Sequence, residues 1–316
     1  MDSLSRNNVN WESREVPKVF IIVLNWNSAS DTIECIGSLQ KLDYPACEII
    51  LVDNGSSDDS ESILRKKYPG LEFIQTGTNL GFAGGNNVGI RYALEHGGEY
   101  VWLLNNDTVV YPDALTEMVR LAQSDPSIGM VGSKIFFYAE PDVLWYAGGT
   151  FDVKNGGIAG HIGWGQKDSG QFDHVIDVDY ITGCSLLVKK KVIDEIGLMP
   201  EEYFLYFEET DWNHSAKKAG FRTVVAQKSL IWHKVKRKGD ALVRFTYYMT
   251  RNRFILIKKI EHKALMACIK YQYREGKKLL TNFWKNKEFN KFIQFTKILF
   301  LAWLHGLVTF RSGKTI

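Results

Sequence analysis

The sequence predicts an α/β fold, a doubly wound and mostly parallel sheet followed by a C-terminal helical extension. Three observations predict it. Short apolar, β-branched runs alternate with segments of helical period through the first half of the 316 residues, the pattern of strand–helix–strand crossovers. Asparagine and aspartate follow three of those runs, where the carboxyl ends of parallel strands open onto a ligand crevice. The charge then splits. Residues 234–316 carry 20 Lys/Arg against 4 Asp/Glu, a formal +16, whereas residues 1–233 carry 19 against 32, a formal −13. With 45% apolar residues and a net charge of only +3, a disordered chain is excluded. The length suits one large domain with a smaller appendage.

Residues 1–17 are polar, lack an apolar core run, and read as a flexible N-terminus rather than a signal peptide. Residues 19–24 (VFIIVL) form a continuous apolar run, as in a strand buried on both faces. Ser30 or Asp31 can cap the next helix, whose apolar positions Ile33, Ile36 and Leu39 have helical spacing. Residues 48–52 are a second buried strand ending in the turn signal Asp53-Asn54-Gly55. A helix starts at Asp58 or Asp59 and runs to about Lys67. Then come a strand at 71–75, a helix at 82–96 and a strand at 100–104.

From 129 to 189 glycines punctuate short segments, which predicts hairpins and a mobile loop rather than another crossover unit, with a short strand at 186–188. A helix at 208–219 closed by Gly220 precedes a strand at 221–226. After residues 235–238 (VKRK) the chain reads as helical to its end, which places a catalytic domain at 18–238 and a basic helical extension at 239–316. The longest clean apolar run in that extension, 298–304, has seven residues. A spanning helix needs about 20, so no transmembrane segment is expected. Four scattered cysteines without a CxxC pair exclude a disulfide scaffold or a cysteine-based zinc site and fit a reducing compartment.

Three polar clusters follow predicted strands: Asn25-Trp26-Asn27, Asp53-Asn54-Gly55-Ser56-Ser57-Asp58 and Asn105-Asn106-Asp107. Each alone fits ordinary turn chemistry equally well. Together they should share one rim. Asp107 lies five residues before Pro112, too early to cap the following helix. A carboxylate there can hold a divalent cation on phosphate oxygens. Phe207-Glu208-Glu209-Thr210-Asp211-Trp212 puts three acids at a helix start, where the macrodipole favours them on structural grounds alone. The aromatic run Tyr203 to Phe207 before it can raise a carboxyl pKa and make a general base. Spacing does not choose among Glu208, Glu209 and Asp211. The glycine-rich stretch 79–89 (NLGFAGGNNVG) opens a helix but lacks GxGxxG, and Walker A, GxSxG and HExxH patterns are absent. His233 ends a strand-like segment, and His161, His174 and His214 have no comparable setting.

In order and spacing, VFIIVLNWN, EIILVDNGSSDDS, NLGFAGGNNVGI, YVWLLNNDTVV, ITGCSLLVKK, YFLYFEETDW and IWH resemble the family 2 glycosyltransferases of the GT-A fold, especially their rhamnosyltransferase-like branch. The resemblance spans residues 19–235, and the later YYMTRNR also resembles this branch. It implies a nucleotide-diphosphate sugar donor bound by Asn25, Asn27, Asp53, Asn54, Asn79, Gly81, Asn86, Asn105, Asn106 and Asp107. Asn105-Asn106-Asp107 stands where the family has DxD, with Asn105 replacing the first acid. Asp107 and His233 would then hold a divalent metal, Mg2+ or Mn2+. Glu209 matches the second acid of the family's acidic pair and would be the catalytic base, with Asp211 supporting the acceptor or the base.

The implied reaction is inverting transfer of rhamnose or a similar hexose to a saccharide or lipid-linked acceptor in surface polysaccharide synthesis. Aromatic residues interleave with Lys285, Lys287, Lys291 and Lys297 in the tail. That suits an anionic membrane surface and a cytoplasmic, peripheral placement on the inner face of the membrane. The plainer alternative is a helical subdomain packed on the body with a solvated basic face. No RNA- or DNA-binding motif accompanies the tail, so nucleic acid is not the expected partner. The rival functions are an inactive nucleotide-sugar-binding or membrane scaffold protein, which Asn105 keeps open, and a sugar nucleotidyltransferase, whose GxGTRLxPLT-type opening is missing.

Overall fold

The computed structural model describes residues 16–235 and 240–308. Residues 1–15 of the expected N-terminus, the basic residues 236–238 at the expected domain boundary, and residues 309–316 of the tail lie outside the described residues.

The buried apolar runs become strands as expected. β1 (Val19–Asn25), β2 (Cys47–Asp53), β3 (Glu72–Gln75) and β4 (Tyr100–Asn105) are linked through α1 (Ala29–Leu39), α2 (Ser60–Lys67) and α3 (Gly81–Glu95). They form a parallel block in the order β4-β1-β2-β3. Register aligns the polar strand ends: Asn25 pairs with Asp53, and Leu24 with Asn105. One rim therefore carries all three clusters. α1 begins earlier than expected, so Ser30 and Asp31 lie inside its first turn instead of capping it, and Asp31 accepts a hydrogen bond from Ser28 Oγ at 3.0 Å.

Beyond β4 come β5 (Thr108–Val110), α4 (Ala114–Ser124), β6 (Ile128–Phe137), β7 (Glu140–Tyr146), β8 (Gly149–Asp152), β9 (Ile158–His161), β10 (Ile176–Asp177) and β11 (Ser185–Lys189). Then follow α5 (Lys190–Ile196), α6 (Glu208–Lys218) and β12 (Arg222–His233). The sheet runs β10-β12-β6-β11-β4-β1-β2-β3, with β5 on β12 and β7 on β6. The expected hairpins exist as β6–β7 and β8–β9. The expectation that no further crossover occurs here is overturned. β6 is a ten-residue strand parallel to its neighbour β12, and antiparallel β11 lies between β6 and β4. Its glycines mark close packing, not turns. A Cβ on Gly132 would fall 2.5 Å from Ile181 Cγ2, and one on Gly129 2.6 Å from Val192 Cγ2.

The extension consists of α7 (Asp240–Ile260), α8 (Leu265–Lys285) and α9 (Phe289–Val308). By length and composition α9 is apolar enough to cross a membrane, which the short clean run in its sequence did not suggest. Its buried residues Phe295, Ile298, Ala302 and Gly306 recur at helical spacing. A Cβ on Gly306 would lie 2.9 Å from the Arg251 carbonyl of α7, and His305 Nδ1 is 2.6 Å from Tyr247 Oη. Tyr273, Trp284, Phe300 and Val308 remain exposed on α8 and α9.

Candidate active site

Sheet pairing builds the site. β12 crosses the sheet and its end pairs with β5, His233 opposite Thr108 and Ile231 opposite Val110. The backbone N–H of Lys234 donates to the Asp107 carbonyl at 2.9 Å. His233 Nε2 thereby comes within 3.2 Å of Asp107 Oδ1. On the other side, Asn105 N–H donates to the Cys184 carbonyl at 3.0 Å, which brings the start of β11 to the same turn. The Trp145 ring of β7 packs edge-on against His233, with ring centroids 4.6 Å apart.

Asp107, His233, Glu208 and Glu209 line one cavity of about 290 Å³. Four buried side-chain atoms on its wall make no hydrogen bond: Asp107 Oδ1, Trp145 Nε1, Glu208 Oε2 and His233 Nδ1. Buried polar groups are almost always paired, and leaving one unpaired costs roughly 1–3 kcal/mol. Four on one wall mark a site built for a ligand's polar groups. The Asp107–His233 contact pairs the two charges without giving Oδ1 a hydrogen bond.

The acids sit at the first turn of α6. Burial pushes the Glu209 carboxyl up to about 7, against backbone N–H groups and Thr210 that pull it down. Burial, and the charge of Glu209 next to it, hold Glu208 well above the carboxylate range. Both carboxyls are thus held toward their neutral forms, and Glu209 is poised to exchange a proton near neutral pH. Burial opposes charging of His233, but the Cys184 sulfur and the Asp107 carboxylate outweigh it, and its pKa is pushed up to about 10.

The other expected site residues divide by location. Asp211 does not line the cavity. It is 1% exposed, and its Oδ2 accepts from Tyr203 Oη at 3.0 Å and Lys259 Nζ at 2.5 Å. Two residues on from Glu209, it projects from a different side of the helix. Asp53 is fully buried. Its Oδ2 accepts from Asn25 Nδ2 at 2.7 Å and Ser56 Oγ at 2.8 Å, its Oδ1 from Ser56 N–H at 2.8 Å and Gln75 Nε2 at 3.0 Å. Asn54 Nδ2 donates to Asn79 Oδ1 and the Gly81 carbonyl, while Asn79 Oδ1 accepts from Gly81 N–H. Asn86 Nδ2 donates to the Phe82 carbonyl, and Asn106 Nδ2 to Thr32 Oγ1. These side chains shape the rim through internal bonds. Asn27 is exposed at its edge, next to Trp26. Asn105 and Asp107 are the two expected donor-site residues that line the cavity itself.

Sequence reasoning assigned no role to Trp145 or Phe245, which line the cavity together with Tyr206. No local signal marks Trp145. Tyr206 sat within the aromatic run before the acids.

A family model described as glycosyl transferase family 2 matches residues 20–197, more than half of the chain. The chain is 25% identical over 306 residues to the low-salt glycan biosynthesis hexosyltransferase Agl10 of Haloferax volcanii, covering 93% of this chain and 92% of that one. It is 23% identical over 239 residues to the N-acetylglucosaminyl-diphospho-decaprenol L-rhamnosyltransferase of Mycobacterium tuberculosis, covering 69% and 77%. Among solved structures, the mannosyltransferase PcManGT of Pyrobaculum calidifontis, in complex with GDP-Man and Mn2+, superposes with a TM-score of 0.57 at 18% identity, covering 92% of this chain and 87% of that one. The sheet with its helical extension is thus the GT-A fold. Together with the sequence match, these likenesses show that the chain belongs to glycosyl transferase family 2.

Proposed function

We propose that this chain is an inverting, metal-assisted glycosyltransferase. It moves rhamnose or a similar hexose from a nucleotide-diphosphate sugar to a hydroxyl of a saccharide or lipid-linked acceptor in cell-surface polysaccharide synthesis. The observation that carries the reading is the cavity wall on which Asp107 and His233 face the same space as Glu209, with four buried polar atoms lacking partners. The sugar is suggested by the rhamnosyltransferase and hexosyltransferase relatives.

Glu209 takes the proton of the acceptor hydroxyl, which makes that oxygen a competent nucleophile. The oxygen attacks the anomeric carbon opposite the diphosphate, in a single displacement that inverts configuration. The Trp145 indole N–H is a donor in the same cavity, and the Glu208 carboxyl faces it with an unpartnered oxygen, both available to sugar or phosphate groups. The strand ends of β1 and β2, with Asn27 at their edge, offer the rim for the nucleoside.

The wall fits a divalent cation. Asp107 Oδ1 is a buried carboxylate oxygen without a hydrogen bond, and the His233 imidazole beside it would become a ligand once its proton is displaced. Among the described residues no three acidic, histidine or cysteine side chains are arranged to hold a metal ion by themselves. The chain thus offers two ligands, and Mg2+-type sites usually take one or two protein ligands plus substrate phosphates. When bound, the cation offsets charge building on the leaving diphosphate. The test is turnover of a panel of nucleotide sugars with membrane extract, with and without Mn2+ or Mg2+. Metal-stimulated transfer from one donor is expected. Binding without turnover across the panel would make the chain a scaffold instead.

We further propose that α8 and α9 hold the enzyme on an anionic membrane on the cytoplasmic side, near a lipid-linked acceptor. Trp284, Phe300 and Leu304 border an apolar groove of about 840 Å³ between the two helices. Residues 265–308 carry eight Lys/Arg and two Glu. Exposed aromatics beside lysines suit an anionic interface. Flotation with anionic liposomes, lost with neutral ones and weakened by salt, is the expected result. Failure to float with either lipid removes the proposal.

A further inference from the structure

The segment that delivers Glu208 and Glu209 adopts a conformation that its own residues disfavour. Phe204, Tyr206 and Phe207 have φ of 65°, 70° and 74°. L-residues with side chains rarely occupy this left-handed region, because Cβ crowds the following carbonyl. Three aromatics there within four residues persist only if the surroundings fix them.

The surroundings are three consecutive residues of α7. Asn252 is fully buried, and its Nδ2 donates to the carbonyls of Tyr203, Leu205 and Tyr206 at 3.0, 2.8 and 2.9 Å. Arg251 Nη1 donates to Asn252 Oδ1 at 2.9 Å, which sets the orientation of that amide. The same guanidinium reaches the carbonyls of Tyr203 at 3.3 Å and Glu202 at 3.0 Å. The Arg253 guanidinium lies 5.2 Å from the centre of the Phe207 ring and donates to the Gly157 carbonyl. The segment is also pinned on its donor-side flank, where Phe82 N–H donates to the Phe204 carbonyl at 2.7 Å. None of the three α7 side chains lines the cavity.

We infer that Asn252, with Arg251 and Arg253 beside it, is a positioning device that holds residues 203–207 in their left-handed turns and so aims Glu209 into the cavity. The inference rests on the reading of Glu209 as the base. It gives α7 a part in the chemistry: the extension is a strut for the catalytic segment as well as a platform for α8 and α9. Asn252 ties the segment together, because its one amide NH2 is shared among three of the segment's carbonyls.

The test compares the full chain as wild type, Asn252→Ala and the milder Arg251→Lys. Donors are UDP-glucose, UDP-N-acetylglucosamine, GDP-mannose and dTDP-rhamnose, with Mn2+ and membrane extract. For whichever donor the wild type turns over, Asn252→Ala should lower kcat at least 30-fold and leave donor KM within about threefold. Arg251→Lys should give a smaller fall of the same kind. A folded Asn252→Ala with kcat within twofold of wild type would overturn the inference, as would kcat and donor KM worsening together. A second readout is independent of turnover. Amide hydrogen exchange over residues 202–211 should quicken at least tenfold in Asn252→Ala, or by a smaller factor in Arg251→Lys should the alanine variant not fold, with β1, β2 and β4 unchanged. Unchanged exchange at 202–211 refutes the strut even if no donor is turned over. Faster exchange there with a wild type that turns over no donor leaves the strut standing and removes the base reading instead.

Discussion

His233 Nε2 lies 3.2 Å from Asp107 Oδ1, yet that oxygen is left without a hydrogen bond. The two residues come from the end of β12 and the turn between β4 and β5, joined by strand pairing of His233 with Thr108. A buried carboxylate oxygen in this state points to a ligand.

Asp107→Asn tests that directly. Asp107 pairs with the buried His233 imidazole at 3.2 Å, so loss of its charge should lower the melting temperature modestly at neutral pH, where His233 is charged. Metal-stimulated turnover should fall by about 100-fold or more, since a carboxylate binds a hard cation and an amide binds it poorly. Thermal melting beside a Mn2+ titration of activity checks both. A large drop in stability with activity retained would assign Asp107 to the scaffold.

Glu209→Gln should leave donor binding nearly intact and lower transfer by about 10²- to 10⁴-fold, the range for loss of a general base. The wild-type kcat/KM should rise with pH through about 7 and then level, as Glu209 ionises. The linked effect on stability has the opposite sense. Its folded pKa is raised above the ordinary 4.5, so the native state holds the extra proton between the two values. Stability therefore declines as pH rises through that window. Glu209→Gln should consequently melt higher than wild type at pH 8, and near wild type at pH 4.5. A wild-type rate independent of pH between 5.5 and 8.5 would remove Glu209 as the base.

Asp211→Asn is predicted to act on the fold first. Tyr203 is fully buried and donates its hydroxyl to Asp211 Oδ2, which Lys259 also contacts. Loss of the carboxylate weakens both contacts at a buried site, at a cost of about 1–3 kcal/mol. Chemical denaturation should show this. Unaltered stability with abolished transfer would return Asp211 to the chemistry, as its place beside the acidic pair in the sequence suggests.

Gly81→Ala should be poorly tolerated. Gly81 has φ of 78°, and an added Cβ would sit 2.3 Å from the Phe204 carbonyl oxygen. The left-handed backbone alone costs about 1–2 kcal/mol for alanine, and the clash is with backbone, which cannot rotate away. Lower stability with slower transfer is expected, because Phe204 belongs to the segment leading to Glu209. Gly77→Ala is the control: it has a similar φ of 75° but open space at the Cβ position, so it should carry the backbone cost alone.

Much of this molecule is legible in its sequence where the signal is local. The runs at β1, β2 and β4 are apolar because the strands are covered on both faces, and their polar ends mark the rim. The resemblance carried by seven ordered motifs named the family. β6 was hidden by Gly129 and Gly132, which look like turn residues but make room for Val192 and Ile181. Trp145 was missed because a tryptophan in a hairpin strand resembles ordinary core until its neighbours are known. Asp53, Asn54 and Asn79, expected at the donor from their place after the strands, are hydrogen-bonded to one another or to neighbours along the rim, a network that no local pattern shows.

The sequence by itself determined the alternation of strands and helices, the carboxylates and amides at the strand ends, and the basic character of the tail. These depend on side-chain periodicity and turn chemistry, which act over a few residues. Only the tertiary structure decided which acids share a cavity. That choice depends on β12 pairing with β5 and β6, and on α7 holding the segment before Glu208, contacts whose partners lie far apart along the chain and leave no periodic trace in it.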